Sequence, residues 1–215
     1  MSVMSDTSAR PPEPRWPALM AVLAVGGLYW AVPDPLSPGP GWLALALLVP
    51  LSATAMVSYK RARFALNQVM AYTVLGVVTA ALIGELAFLV AALPAHKEAP
   101  SDLLRSAVAL WISNILVFAS WYWRLDAGGP NLRDQRASHT EGAFLFPQMT
   151  QGDAPKDNWR PGFVDYLFLA FNTSTAFSPT DVPVLSPWAK GMMMVQSLIS
   201  LATVALLAAR AVNIL

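Results

Sequence analysis

Thr173, Ser174, Thr175, Ser178 and Thr180 form a run of hydroxyl-bearing residues that closes on the carboxylate of Asp181, with Ala176 and Phe177 among them. Carbonyl and hydroxyl oxygens can replace an ion's hydration shell, and a carboxylate beside them raises the local cation concentration. The chemistry open to this stretch is therefore ion coordination, with a monovalent cation as the candidate partner. Beyond Pro183 and Pro187, Gln196, Ser200, Thr203 and Arg210 recur at spacings of four, three and seven. On a helix these positions share one face. Such a face suits the wall of a water-filled pathway, and equally a contact between helices in lipid. Glu85 stands apart, inside an apolar run. A carboxylate at membrane depth is costly and by default marks a functional site with a partner. Arg210 and Asn114 are the candidate partners; a protonated acid with a structural role is the other reading.

Other chemistries lack their residues. Cysteine is absent, which removes disulfides, thiol catalysis and thiolate metal sites. His96 and His139 are isolated, and Met192, Met193 and Met194, being consecutive, point in three directions. No nucleotide fingerprint, HExxH pair or nucleophile elbow occurs. An intramembrane enzyme built on Glu85 or Asp181 has no second catalytic group at a usable spacing. No catalytic residue, cofactor or metal is expected.

The elements that must position these residues follow from composition. Of 215 residues, 55% are hydrophobic and only 13% are charged, about half the charge of soluble domains. Mean hydropathy is +0.47. The chain reads as an all-α integral membrane protein whose first partner is the lipid bilayer. Its net charge of +1 points to no nucleic-acid partner. A membrane helix needs roughly 20 apolar residues, and five stretches qualify: Trp16 to Val32, Gly41 to Ser58, Asn67 to Leu93, Leu103 to Trp123 and Trp188 to Asn213. The first ends in Leu28-Tyr29-Trp30 without a small-residue cleavage site, so it reads as an uncleaved helix. Residues 1–15 read as a disordered polar tail and 16–123 as a four-helix transmembrane region. Residues 124–162 form a hydrophilic link, well hydrated because its charges balance. Within it Gly128-Gly129-Pro130 must break the fourth helix, and Phe144 to Pro147 is an apolar island that lies on the membrane or packs beneath the helices. Ser106, Ser113 and Ser120, seven residues apart, predict a strip for close helix packing.

Residues 163–215 remain. Phe163 to Asn172 predicts a helix too short to span, followed by the hydroxyl-rich loop and a long helix, which is the order of a re-entrant pore loop. This stretch resembles the pore module of potassium channels, where a pore helix leads to a Thr-Val-Gly-Tyr-Gly-Asp signature and an inner helix. Thr173 and Thr175 would match its threonines, Ala176-Phe177-Ser178 its Gly-Tyr-Gly and Asp181 its aspartate. It is also similar to a group of uncharacterised bacterial multi-pass membrane proteins with a degenerate version of that loop. The filter's carbonyl array needs glycines; Ala176 and Ser178 replace them and Pro179-Thr180 is extra, so potassium selectivity is not expected.

Orientation follows Lys and Arg. Arg10, Arg15, Lys60, Arg61, Arg63 and the five cations of the long link fall on one side, against Lys97 and Arg105 on the other. Five crossings then put the N-terminus and the long link in the cytoplasm of a bacterial inner membrane, with the loop on the cytoplasmic side, whereas channel filters enter from outside. The leading expectation is a channel-like or transporter-like protein, a homotetramer if channel-like. Its rival is a non-transporting accessory subunit of a larger membrane complex.

Overall fold

The computed structural model of the chain describes residues 11–30, 32, 39–92, 99–136, 139, 141–150, 159–175 and 182–212. Among these the fold is all-helical: α1 (Trp16–Trp30), α2 (Trp42–Lys60), α3 (Phe64–Ala92), α4 (Pro100–Leu125), the single turn α5 (Pro130–Arg133), α6 (Phe163–Thr175) and α7 (Pro187–Val212). Helices α2, α3, α4 and α7 are long and apolar enough to cross a membrane. The fifth expected span, α1, has 15 residues, about 22 Å of helix against roughly 30 Å of hydrocarbon. Its start is fixed locally. Pro17 sits in the first turn, where a missing N–H is tolerated, and the residues before it are held in a polar cluster described below. Trp16, Trp30, Trp42 and Trp188 stand exposed at the ends of α1, α2 and α7, where aromatic rings anchor membrane helices at the headgroup level.

Helix α4 is the centre of the bundle: 67% of its span is buried, against 17% for α2 and 22% for α7. Ser106, Ser113 and Ser120 are all buried along it, and their small side chains let neighbouring helices approach. Contacts at the helix ends fix the directions. The Arg15 guanidinium lies over the rings of Tyr59 and Trp123, and Arg124 donates to the Asn67 side chain at 2.8 Å. The start of α1, the end of α2, the start of α3 and the end of α4 therefore share one end of the bundle. Gly41 lies against Trp30 at the other. Helices α1 to α4 alternate in direction.

After α4 the chain turns through Gly128 and Gly129, as the Gly-Gly-Pro sequence predicts. Gly129 has φ +87°, and a Cβ there would fall 2.6 Å from the Arg124 carbonyl oxygen, so only glycine closes this turn. Among its described residues, the link beyond it is in part buried. Phe144 and Phe146 are buried, and the Phe144 ring packs on Tyr122, Tyr166 and Trp188. The apolar island thus packs beneath the helices. Its backbone pairs with the chain entering α7: the Leu145 amide donates to the Pro183 carbonyl at 2.9 Å and the Leu185 amide to the Ala143 carbonyl at 2.8 Å. The polar tail also ends earlier than residue 15, because residues 11–15 belong to the fold and Glu13 is only 3% exposed.

Candidate functional site

Helices α6 and α7 run in the same direction. Near their starts, Tyr166 and Trp188 both pack against Phe144. Further along, Gln196 of α7 donates to the Ala170 carbonyl at 2.7 Å and to the Ser174 hydroxyl at 2.8 Å. The Ser200 hydroxyl donates to the Ser174 carbonyl. Consecutive helices joined by a short turn would be antiparallel. Here Thr175 stands opposite the Gln196–Ser200 turn of α7, about 20 Å from the start of that helix at 1.5 Å per residue.

The polar face of α7 closes the carbonyl end of α6. A helix leaves its last four carbonyls without intrahelical partners. The Ser197 hydroxyl donates to the Thr173 carbonyl at 3.4 Å, Ser200 takes that of Ser174, and the Thr175 hydroxyl donates to the Asn172 carbonyl at 3.0 Å. From α4, Asn114 donates to the Ser174 hydroxyl at 3.3 Å and to the Gln196 carbonyl at 3.2 Å, while the Tyr122 hydroxyl donates to Gln196 Oε1 at 2.6 Å. Gln196, Ser200 and Thr203 are at most 1% exposed. Thr203 and Thr173 each donate one turn back, to the Ile199 and Leu169 carbonyls.

Of the residues that the sequence singles out, Ser174, Gln196 and Ser200 therefore lie together between α4, α6 and α7 and the Thr173 carbonyl meets Ser197, while the Thr175 and Thr203 hydroxyls bond within their own helices. Ala176, Phe177, Ser178, Thr180, Asp181 and the side chain of Arg210 lie outside the described residues. Glu85 belongs to neither group: it is buried in α3, and its Oε1 has no hydrogen-bond partner among the described residues. Asn114, one of the two partners that the sequence suggests, is engaged by α6 and α7 instead.

A second constellation is invisible to the sequence reading and fixes the start of α6. Asp126, fully buried just past α4, accepts from the Tyr166 hydroxyl at 2.6 Å and from the Ala143 amide at 2.5 Å. Gly142 makes that approach possible, since a Cβ there would meet Asp126 Oδ1 at 2.8 Å. Arg133 pairs with Glu13 at 3.0 Å, both side chains being at most 3% exposed, and donates to the Trp123 and Asp126 carbonyls. Its guanidinium lies over the rings of Trp123 and Tyr166. Glu13 also accepts from the Trp123 indole. Asp134 joins Arg15, Arg160 and the Glu13 amide. His139 Nε2 lies 3.8 Å from Asp126; burial pushes its pKa down, against the attraction of that carboxylate. The only sequence signal for this cluster is Arg124-Leu125-Asp126, charges set directly against the end of an apolar span.

Among the described residues no group of three His, Asp or Glu side chains could hold a metal ion. Comparison of the chain with protein-family models, with curated proteins and with solved structures gives no match.

Proposed function

We propose that this is a channel-like or transporter-like membrane protein of five crossings, in which α6 and the 176–181 loop re-enter the bilayer from the end that carries the ionic cluster. The observation behind this reading is that α7 side chains, about halfway along their helix, supply donors to the last carbonyls of α6. A helix ending at the membrane surface leaves those carbonyls to water. One that ends at bilayer depth must have them satisfied by protein. On this reading α1 is the fifth crossing, its shortness met by local bilayer thinning between the anchors Trp16 and Trp30. Lys60, Arg61, Arg63, Arg133 and Arg160 lie towards the cluster end, which makes that side cytoplasmic by the positive-inside rule.

The pathway is then formed by the last turn of α6 and the 176–181 loop, with four copies around an axis in the channel-like version and a monovalent cation as the candidate passenger. On this reading Gln196 and Ser200 brace the end of α6 from behind. Potassium selectivity is not part of the proposal, because Ala176 and Ser178 stand where the filter glycines would be. A second reading has its own support. The described polar residues of the α7 face are satisfied within one chain, as in an accessory subunit whose loop is a scaffold for partner helices.

Single cysteines at Ser174, Ser178 and Thr180, in a chain that has none of its own, separate the two. Ser174, buried in the fold, is the slow-labelling reference; slow labelling of Ser178→Cys and Thr180→Cys by an impermeant thiol reagent, from the cytoplasmic side only and beside fast labelling of Ser138→Cys in the long link, is expected. Reconstituted protein should then pass a monovalent cation. Labelling at 178 and 180 as fast as at 138, with no flux of any ion, would replace this reading by the accessory-subunit one.

A further inference from the structure

Between α1, α2, α3 and α4, at the same end of the bundle but away from α6 and α7, lies a cavity of about 100 Å³. Its body is apolar, formed by Ala18, Val22, Met56 and Val74 among others, and Arg15 and Arg124 stand on its wall. Neither cation is fully answered. The Arg15 side chain is 10% exposed and its Nη2 is held by Asp134. Its Nε and Nη1 are buried without a hydrogen-bond partner among the described residues, Glu13 being 3.6 Å from Nη1. Arg124 is 6% exposed and donates to the carbonyl and side chain of Asn67. It makes no ion pair among the described residues. Among the described residues Arg15, Arg133 and Arg160 pair with the carboxylates of Glu13 and Asp134, and Arg124 is left without a carboxylate of its own.

A buried cation without a counter-ion is strongly unfavourable, and among the described residues Arg124 has no anion beside it. A small anion would answer the arginines and leave the apolar body empty; a neutral alkyl chain would do the reverse. An amphiphile with an anionic head does both. Basic pockets between membrane helices on the cytoplasmic side suit phospholipid headgroups, and guanidinium forks match phosphate oxygens. We infer that this cavity binds an anionic phospholipid, its phosphate on Arg15 and Arg124 and the first part of one acyl chain between α1, α2 and α3. The volume admits no more of the chain than that, and the remainder lies along the lipid-facing surface. The inference stands independently of what α6 and α7 do.

The test is the thermal unfolding midpoint of the purified, delipidated full chain in detergent, with and without added lipid. Phosphatidylglycerol should raise it by roughly 5–10 °C near saturation, and phosphatidylcholine or inorganic phosphate by far less. The increment, read against each variant's own baseline, should vanish in Arg124→Gln and persist in Arg136→Gln, which alters an exposed cation. Ala71→Leu keeps both cations and fills the cavity, so it should also abolish the increment even if Arg124→Gln folds poorly. An equal rise with phosphatidylcholine, an increment retained in Ala71→Leu, or a rise with oleate but none with phosphatidylglycerol would overturn the assignment.

Discussion

Two buried polar regions hold the two ends of α6, and they are made of opposite materials. At its start the ties are charged: Asp126 receives Tyr166, Glu13 and Arg133 pair behind it, and Arg15, Asp134 and Arg160 extend the network. At its end they are neutral, with Gln196, Ser200 and Asn114 meeting the hydroxyl and carbonyl of Ser174 and Tyr122 holding Gln196 in place. On the proposed re-entrant placement the difference follows the cost of burying each kind of group: charges are tolerated near the interface, where headgroups and water are close, whereas at bilayer depth a charge is far more expensive than a neutral donor. The neutral region joins residues up to 82 positions apart. The charged one joins residues more than 100 positions apart, as in the bond from Arg133 to Glu13.

That contrast can be broken at either end. Glu13→Ala leaves Arg133 buried without its partner and should cost about 3–5 kcal/mol, lowering the unfolding midpoint in detergent by roughly 10 °C; a loss matching that of an exposed control would mean that the pair is idle. Gln196→Leu removes a side chain bonded to Tyr122, Ala170 and Ser174, and should cost about 2–3 kcal/mol through the groups left unsatisfied. Adding Tyr122→Phe should recover about 1 kcal/mol, since the orphaned hydroxyl is then gone; strict additivity would show that the two do not interact. Gly142→Ala pushes a methyl group against Asp126 and should cost about 1–2 kcal/mol, with no such effect at Gly27, where an added Cβ meets nothing within 4 Å. The smallest effect concerns His139. Burial lowers its proton affinity in the folded state, so as pH falls below the ordinary value of 6.5 the unfolded chain binds the proton first and stability is lost. His139→Asn should flatten the fall in midpoint between pH 7 and pH 5 relative to the unaltered protein.

Positions of the long apolar helices were legible, because span length and proline punctuation are local properties. The Gln196–Ser200–Thr203 face was legible as a face, since helical spacing alone defines it. What it faces was not: nothing at 196 or 200 encodes that the end of α6 sits opposite. The charged cluster shows the limit most plainly. Arg124, Asp126, Arg133 and Asp134 look like a balanced, solvated link when counted together, but the first three are buried by distant partners: Asn67 on Arg124, Tyr166 and Ala143 on Asp126, and Glu13 on Arg133.

The parallel course of α6 and α7 has an electrostatic consequence. Helix peptide dipoles add to roughly half a negative charge at a C-terminus, and α6 directs that end to the level of Ser174, Asn114 and Ser200. Neutral hydroxyl donors satisfy the carbonyls there without cancelling the field. In a low-dielectric setting that field attracts cations and repels anions before any side chain of the loop is considered. If the proposed pathway exists, whatever passes near residue 175 should therefore be positively charged. A flux of chloride exceeding that of sodium or potassium would be at odds with the direction of this one short helix.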